Sequence, residues 1–76
     1  MKVEILKNAG YRYNFDRDIY FNRNAKKAFS LEFVDDTAEK DLAECIKADP
    51  NGSGWTFYFN AGPSEGVKRE LESVLG

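Results

Sequence analysis

The sequence predicts an α+β fold. In it an antiparallel sheet of four to five strands, in the chain order β-β-β-β-α-β-α, carries two helices packed on one face. Three observations lead to this prediction. Apolar residues alternate along several short segments before residue 35, the period then lengthens to that of a helix, and aromatic residues concentrate in the alternating segments. With only 76 residues, the chain is expected to form a single small domain, residues 1–76.

The first half of the chain predicts a meander of four short strands, at residues 2–7, 11–15, 19–21 and 27–34. Turn-forming residues at 8–10, 16–18 and 22–27 separate them. The last strand alternates most clearly. One side of it carries Phe29, Leu31 and Phe33, and the other carries Ala28, Ser30 and Glu32.

The second half predicts helix, strand and helix. Asp36 and Glu39 have the spacing of a reciprocal helix cap, and Asp49-Pro50 ends the first helix because the residue before proline avoids helical geometry. The apolar stripe of this helix is Ala38, Leu42, Cys45 and Ile46. A strand at residues 55–59 and a helix opening at Gly62-Pro63 follow. The stripe of that last helix is Val67, Leu71, Val74 and Leu75.

Composition limits the possible functions. The chain has no histidine and one cysteine, so it lacks the commonest general base and cannot assemble a four-ligand zinc site by itself. Residues 1–34 hold seven basic side chains against four acidic ones, whereas residues 35–76 hold four against nine. The net charge of −2 argues against non-specific nucleic-acid binding as the main role. A cytoplasmic protein, monomeric or homodimeric, with no cofactor, metal or membrane partner is expected.

Two short motifs resemble ligand sites; the first is interpreted as a turn and the second as a helix cap. Residues 49–54 follow a calcium-loop pattern, but the twelfth position is Asn60 instead of a bidentate glutamate. Residues 62–66 are glycine-rich at a helix start, but Glu65 would repel phosphate. The carboxylates of Glu4, Asp18 and Glu32 leave open an enzyme that uses acid–base chemistry on an exposed sheet face.

Two surfaces are the candidate binding sites. The predicted solvent face of the sheet carries Arg12, Tyr20, Ser30, Glu32 and Tyr58, and the basic hairpin carries Arg23, Lys26 and Lys27. Tyrosine and arginine are enriched at binding hot spots. The sequence therefore predicts a small non-enzymatic protein-binding module, such as an inhibitor, adaptor or immunity-type factor. The alternative is a nucleic-acid-binding protein that uses the basic hairpin.

Overall fold

The computed structural model of the protein describes residues 1–49 and 54–76. Residues 50–53, which form most of the calcium-loop pattern predicted at residues 49–54, lie outside the described residues. In chain order the elements are α1 (Lys2–Asn8), β1 (Arg12–Asn14), β2 (Ile19–Asn22), β3 (Lys27–Ser30), α2 (Leu31–Asp36), α3 (Glu39–Lys47), β4 (Thr56–Tyr58) and α4 (Glu65–Leu75). The α+β class is confirmed.

The sheet has the strand order β1-β2-β3-β4 and is mixed, so the prediction of a purely antiparallel sheet is wrong. The β1–β2 and β2–β3 pairs are antiparallel, as the tight turns predict. The β3–β4 pair is parallel. Two helices connect these strands, and a long helical connection returns the chain so that the next strand runs in the same direction.

The first predicted strand is instead the helix α1. Leu6 is fully buried and the adjacent Ile5 is half-buried. Neighbouring residues of a strand point to opposite faces, whereas neighbouring residues of a helix can both reach a core. The alternation of Val3 with Ile5 is too short to distinguish the two, and Val3 is exposed.

The fourth predicted strand ends early, at Ser30, and the helix α2 begins at Leu31. The Ser30 hydroxyl accepts a hydrogen bond from the backbone N–H of Phe33, at 3.1 Å, and so caps the new helix. Leu31, Glu32 and Phe33 therefore lie on a helix, and their alternation is not that of a strand. A serine at the N-cap, three residues before the N–H that it accepts from, favours a helix here more strongly than the alternation favours a strand.

The two long helices form where the sequence predicts them, but both begin later. The residue before α3 is Ala38, which provides no side-chain cap, so Asp36 does not have its predicted role. Ser64 caps α4 by accepting a hydrogen bond from the N–H of Val67, at 3.3 Å. The helix α3 ends at Lys47, two residues before Asp49.

Both faces of the sheet are covered, so the prediction that the two long helices share one face is wrong. Phe29 and Ala28 are neighbours in β3 and therefore point to opposite faces. Phe29 packs in a cluster with Leu42 of α3, whereas Ala28 packs in a second cluster with Leu71 of α4. The first cluster also contains Leu6, Tyr11, Tyr20 and Val34, and the second contains Ile19 and Leu75.

The buried phenol of Tyr11 destabilises the first cluster. This side chain is only 5% exposed, and its hydroxyl has no hydrogen-bond partner within the part of the chain described. Burial, and next the neighbouring Tyr58, raise the pKa of Tyr11 from 10.0 to about 12. We expect Tyr11→Phe to raise the free energy of unfolding by about 1 kcal/mol at neutral pH, because it removes a buried polar group that is unsatisfied.

The same substitution has a predicted pH dependence. The pKa of Tyr11 is near 10 in the unfolded chain and about 12 in the folded protein. The folded protein therefore holds the proton more tightly, and this preference contributes fully to the free energy of unfolding below pH 10. The contribution is lost as the pH rises from 10 to 12. Urea unfolding across this range should show a shallower decline for Tyr11→Phe than for the unsubstituted protein. Equal declines would contradict the assignment of this pKa to Tyr11.

Candidate functional site

The aromatic members of the predicted sheet-face site lie under helices and not in solvent. Tyr20 is 8% exposed within the first cluster, and Tyr58 is half-buried against it. The Tyr58 ring stacks on Phe29, with 4.6 Å between centroids and 8° between planes. The expectation of an open aromatic sheet face is therefore wrong, because α3 occupies that face.

Lys27 is a structural residue of the interior. Only 3% of it is exposed, although the sequence places it in a basic hairpin. Its ammonium donates hydrogen bonds to the carbonyl oxygens of Cys45 at 3.0 Å and Ile46 at 2.8 Å, and also to that of Ala48. These carbonyls belong to the C-terminal end of α3, where the helix leaves acceptors unpaired and carries partial negative charge.

Three other predicted residues have clear positions. Ser30 caps α2, as described above. Lys26 is exposed at the β2–β3 turn, where its φ of 54° lies in the left-handed region. Glu32 is exposed in the first turn of α2, and with Arg17 and Asp18 it lines an open cavity of about 320 Å³. That cavity contains charges of both signs, and Glu4 is not among the residues that line it.

The lone thiol is also part of the packing. Cys45 is half-buried on α3 beside the first cluster, as its place on the apolar stripe predicts. Burial, with Asp41 acting in the same direction, raises the pKa of the Cys45 thiol. A raised pKa keeps the thiol protonated and lowers its reactivity as a nucleophile.

The two predicted arginines meet at one cavity, which we call the arginine pocket. It has a volume of about 290 Å³ and is lined by Gly10, Arg12, Phe21, Asn22, Arg23 and Asn24. The lining residues include two arginines and no acidic residue. In a protein with a net charge of −2, this is a local concentration of positive charge.

Phe21 is a neighbour of both arginines. Arg12 in β1 is its partner in β2, so the two side chains share a face of the sheet. The guanidinium carbon of Arg23 lies 5.6 Å from the centre of the Phe21 ring, as in a cation–π contact. The Arg23 Nε also donates to the carbonyl oxygen of Leu75, at 2.5 Å.

These contacts orient the Arg23 side chain before any ligand arrives. The Nε hydrogen bond and the ring contact fix the guanidinium plane, and its two terminal nitrogens make no hydrogen bond or ion pair within the described residues. Arg12 is exposed and makes no hydrogen bond or ion pair within residues 1–49 and 54–76. A planar fork of donors held in this way matches the geometry of a carboxylate or a phosphate.

Asn22 lines the pocket and connects the segments around it. Its amide nitrogen donates to the carbonyl oxygen of Ala9 at 3.2 Å, and its amide oxygen accepts from the backbone N–H groups of Asn24 and Ala25. Gly10 lies directly beside it, with a φ of +90° that side chains other than glycine rarely adopt. The turn after α1 is thereby tied to the β2–β3 hairpin, and this holds Arg12 and Arg23 at one site.

Sequence reasoning missed Phe21, Asn22 and Gly10 as parts of this site. The polar turn at residues 16–18 fixes an antiparallel register, and this register places Arg12 opposite Phe21. The hydrogen bond between Asn22 and Ala9 joins the end of β2 to the C-cap of α1, a helix that the sequence pattern does not predict. No local signal indicates that contact.

A further cavity lies between β4 and α4 and has a volume of about 380 Å³. Its floor includes Trp55 and Phe57, whose rings are 6.4 Å apart and nearly parallel. Charges of both signs line it, and Lys68 lies 3.6 Å from Glu65. Because these charges balance, this cavity has less preference for one class of ligand than the arginine pocket has.

Comparison of the chain with protein-family models, curated proteins and solved structures finds no match. Within residues 1–49 and 54–76, no helix is both long enough and apolar enough to cross a membrane.

Proposed function

We propose that this protein is a non-enzymatic protein-binding module whose arginine pocket receives acidic side chains of a partner protein. An inhibitor, an adaptor or an immunity-type factor would act in this way. The observation that supports the proposal is the pairing of Arg12 and Arg23 around Phe21, in a cavity lined by no acidic residue.

The size of the pocket favours a few carboxylates over a nucleic-acid backbone. A cavity of about 290 Å³ with two guanidinium groups accommodates one or two carboxylates. Nucleic-acid binding of useful strength normally neutralises a longer run of phosphates. The hairpin is also less basic at its surface than its sequence suggests, since the ammonium of Lys27 is directed to the end of α3.

The test uses a capped tripeptide of glutamate, titrated into the isotopically labelled protein at low salt and followed by NMR. We expect the largest amide shifts at Arg12, Phe21, Arg23 and Asn24. The shifts should weaken as salt is added, because exposed charges are screened within about 10 Å at 0.1 M ionic strength.

A capped tripeptide of lysine is the matched control and should leave these resonances unchanged. Shifts that spread evenly over the basic residues, or that centre on Lys68 and Arg69 of α4, would contradict the proposal. A DNA or RNA oligomer that shifted the pocket resonances more strongly than the acidic tripeptide would favour the nucleic-acid alternative.

A further inference from the structure

The arginine pocket opens beside an edge of the sheet. β1 is the first strand in the order β1-β2-β3-β4, so within the described chain it pairs on one side only. Arg12 and Tyr13 of this strand are both exposed. The outer side of such a strand presents backbone N–H and C=O groups that another extended segment can pair with.

The two sides of β1 have different chemistry. Arg12 shares a face with Phe21 and borders the arginine pocket. Tyr13 points to the opposite face, where its ring lies 4.9 Å from that of Tyr20. An added strand would therefore meet positive charge on one face and an aromatic surface on the other, in alternation along its length.

The aromatic side is both exposed and held in place. Tyr13 is 41% exposed, and its hydroxyl donates to the carboxylate of Asp18 at 2.6 Å. The pKa of Tyr13 is raised to about 12, and this hydrogen bond is the largest cause of the increase. Phe15, one residue beyond β1, is 77% exposed. Aromatic side chains exposed to this extent next to an open edge are typical of binding surfaces.

We propose that the partner contributes an extended segment that adds to the edge of β1 as a fifth strand. Its acidic side chains lie on the face of Arg12 and Arg23, and its apolar side chains lie on the face of Tyr13. This inference rests on the proposed function and specifies the partner: a peptide segment in which acidic and apolar residues alternate. Main-chain hydrogen bonds supply part of the affinity, and the two faces supply the specificity.

Charge selects such a partner over a second copy of this chain. β1 consists of Arg12, Tyr13 and Asn14, so a second copy paired at this edge would supply no carboxylate to the arginine pocket. An arginine on the edge repels other basic segments, which is a means of excluding wrong partners.

The test compares three capped hexapeptides of the same composition. The first alternates glutamate and valine. The second has the same order but is N-methylated at its two central residues, which removes one N–H from each edge of the peptide. The third places three glutamates before three valines, so that it no longer separates acidic and apolar side chains onto two faces.

We expect the alternating peptide to bind on the order of tenfold more tightly than either of the others. It should also slow amide hydrogen exchange within β1, which a merely electrostatic contact would not do. Equal affinity of the alternating and N-methylated peptides, or unchanged exchange in β1, would overturn strand addition. If the tripeptide of glutamate still shifted the pocket resonances, the proposed function would stand without it.

Two further results would contradict strand addition at β1. Slowed exchange in β1 that depends on protein concentration in the absence of peptide would show that a second copy occupies the edge. Failure of every acidic peptide, including the tripeptide, to shift the pocket resonances would overturn the proposed function together with strand addition.

Discussion

Replacing Lys27 with methionine is expected to lower the free energy of unfolding by about 2 to 3 kcal/mol. The substitution keeps most of the side-chain volume but removes the ammonium that donates to the carbonyls of Cys45, Ile46 and Ala48. Those acceptors would remain partly buried at the end of α3 without a donor. A domain of this size has a total stability on the order of 5 kcal/mol, so the loss would be a large fraction of it.

Lys40→Met on α3 is the matched control for this experiment. Lys40 is exposed and has no hydrogen bond or ion pair in the described ranges, so we expect its replacement to change the stability by about 0.5 kcal/mol or less. Urea unfolding followed by circular dichroism measures both variants. Similar stabilities for Lys27→Met and Lys40→Met would show that Lys27 is the exposed hairpin residue that the sequence predicts.

Leu71→Ala is expected to cost about 3 kcal/mol, because Leu71 joins α4 to the second cluster. Leu71 is 3% exposed, and truncating it would leave a cavity over Ile19 and Ala28. The experiment tests whether α4 covers its own face of the sheet. The fluorescence of Trp55, the only tryptophan in the chain, provides a second probe on the same side.

Val74→Ala is the control, since the sequence assigns Val74 to the same apolar stripe as Leu71. The structure leaves it 45% exposed, and we expect a loss of less than about 1 kcal/mol. Equal losses for the two variants would contradict the orientation of α4. They would instead favour the stripe of Val67, Leu71, Val74 and Leu75 that the helical period predicts.

Local patterns predict part of the secondary structure. The hairpin strands β1 and β2 and the helices α3 and α4 all lie where alternation or helical spacing indicates them. Two other segments differ from their pattern. In residues 2–7 only Val3 and Ile5 alternate, and this pattern is equally compatible with a helix that buries Leu6. At Ser30 one hydrogen bond to Phe33 turns an alternating run into a helix.

The faces of the sheet could not be predicted from alternation alone. A strand–helix–strand segment is a signal for parallel pairing, and it applies to β3, α3 and β4. Once β4 is parallel, α3 crosses one face and buries Tyr20 and Tyr58. Long-range packing thus decides which alternating side meets solvent, and the alternation within one strand does not indicate which side that is.

The sequence assigns Arg12 to a sheet face and Arg23 to a basic hairpin, whereas both arginines line one pocket together with Phe21. Lys27, next to the same hairpin, is buried instead. Charge along the sequence does not distinguish an arginine that lines a pocket from a lysine that caps a helix.

The arginine pocket is also connected to the stability of the fold. Arg23 donates to the carbonyl oxygen of Leu75, whose side chain is buried in the second cluster. Replacing Arg23 therefore affects both ligand binding and the end of α4. Arg12, which has no such contact in the part of the chain described, is the better position for a test of binding alone.

The most direct measurement is the affinity of the glutamate tripeptide for the unsubstituted protein, Arg12→Gln, Arg12→Lys and Arg69→Gln, under the same conditions. Arg69 is exposed on α4 and does not line the arginine pocket. We predict that Arg12→Gln weakens binding about five- to tenfold, that Arg12→Lys restores part of the loss, and that Arg69→Gln has no effect. Equal losses for Arg12→Gln and Arg69→Gln would show attraction by overall charge and would contradict the arginine pocket as the binding site.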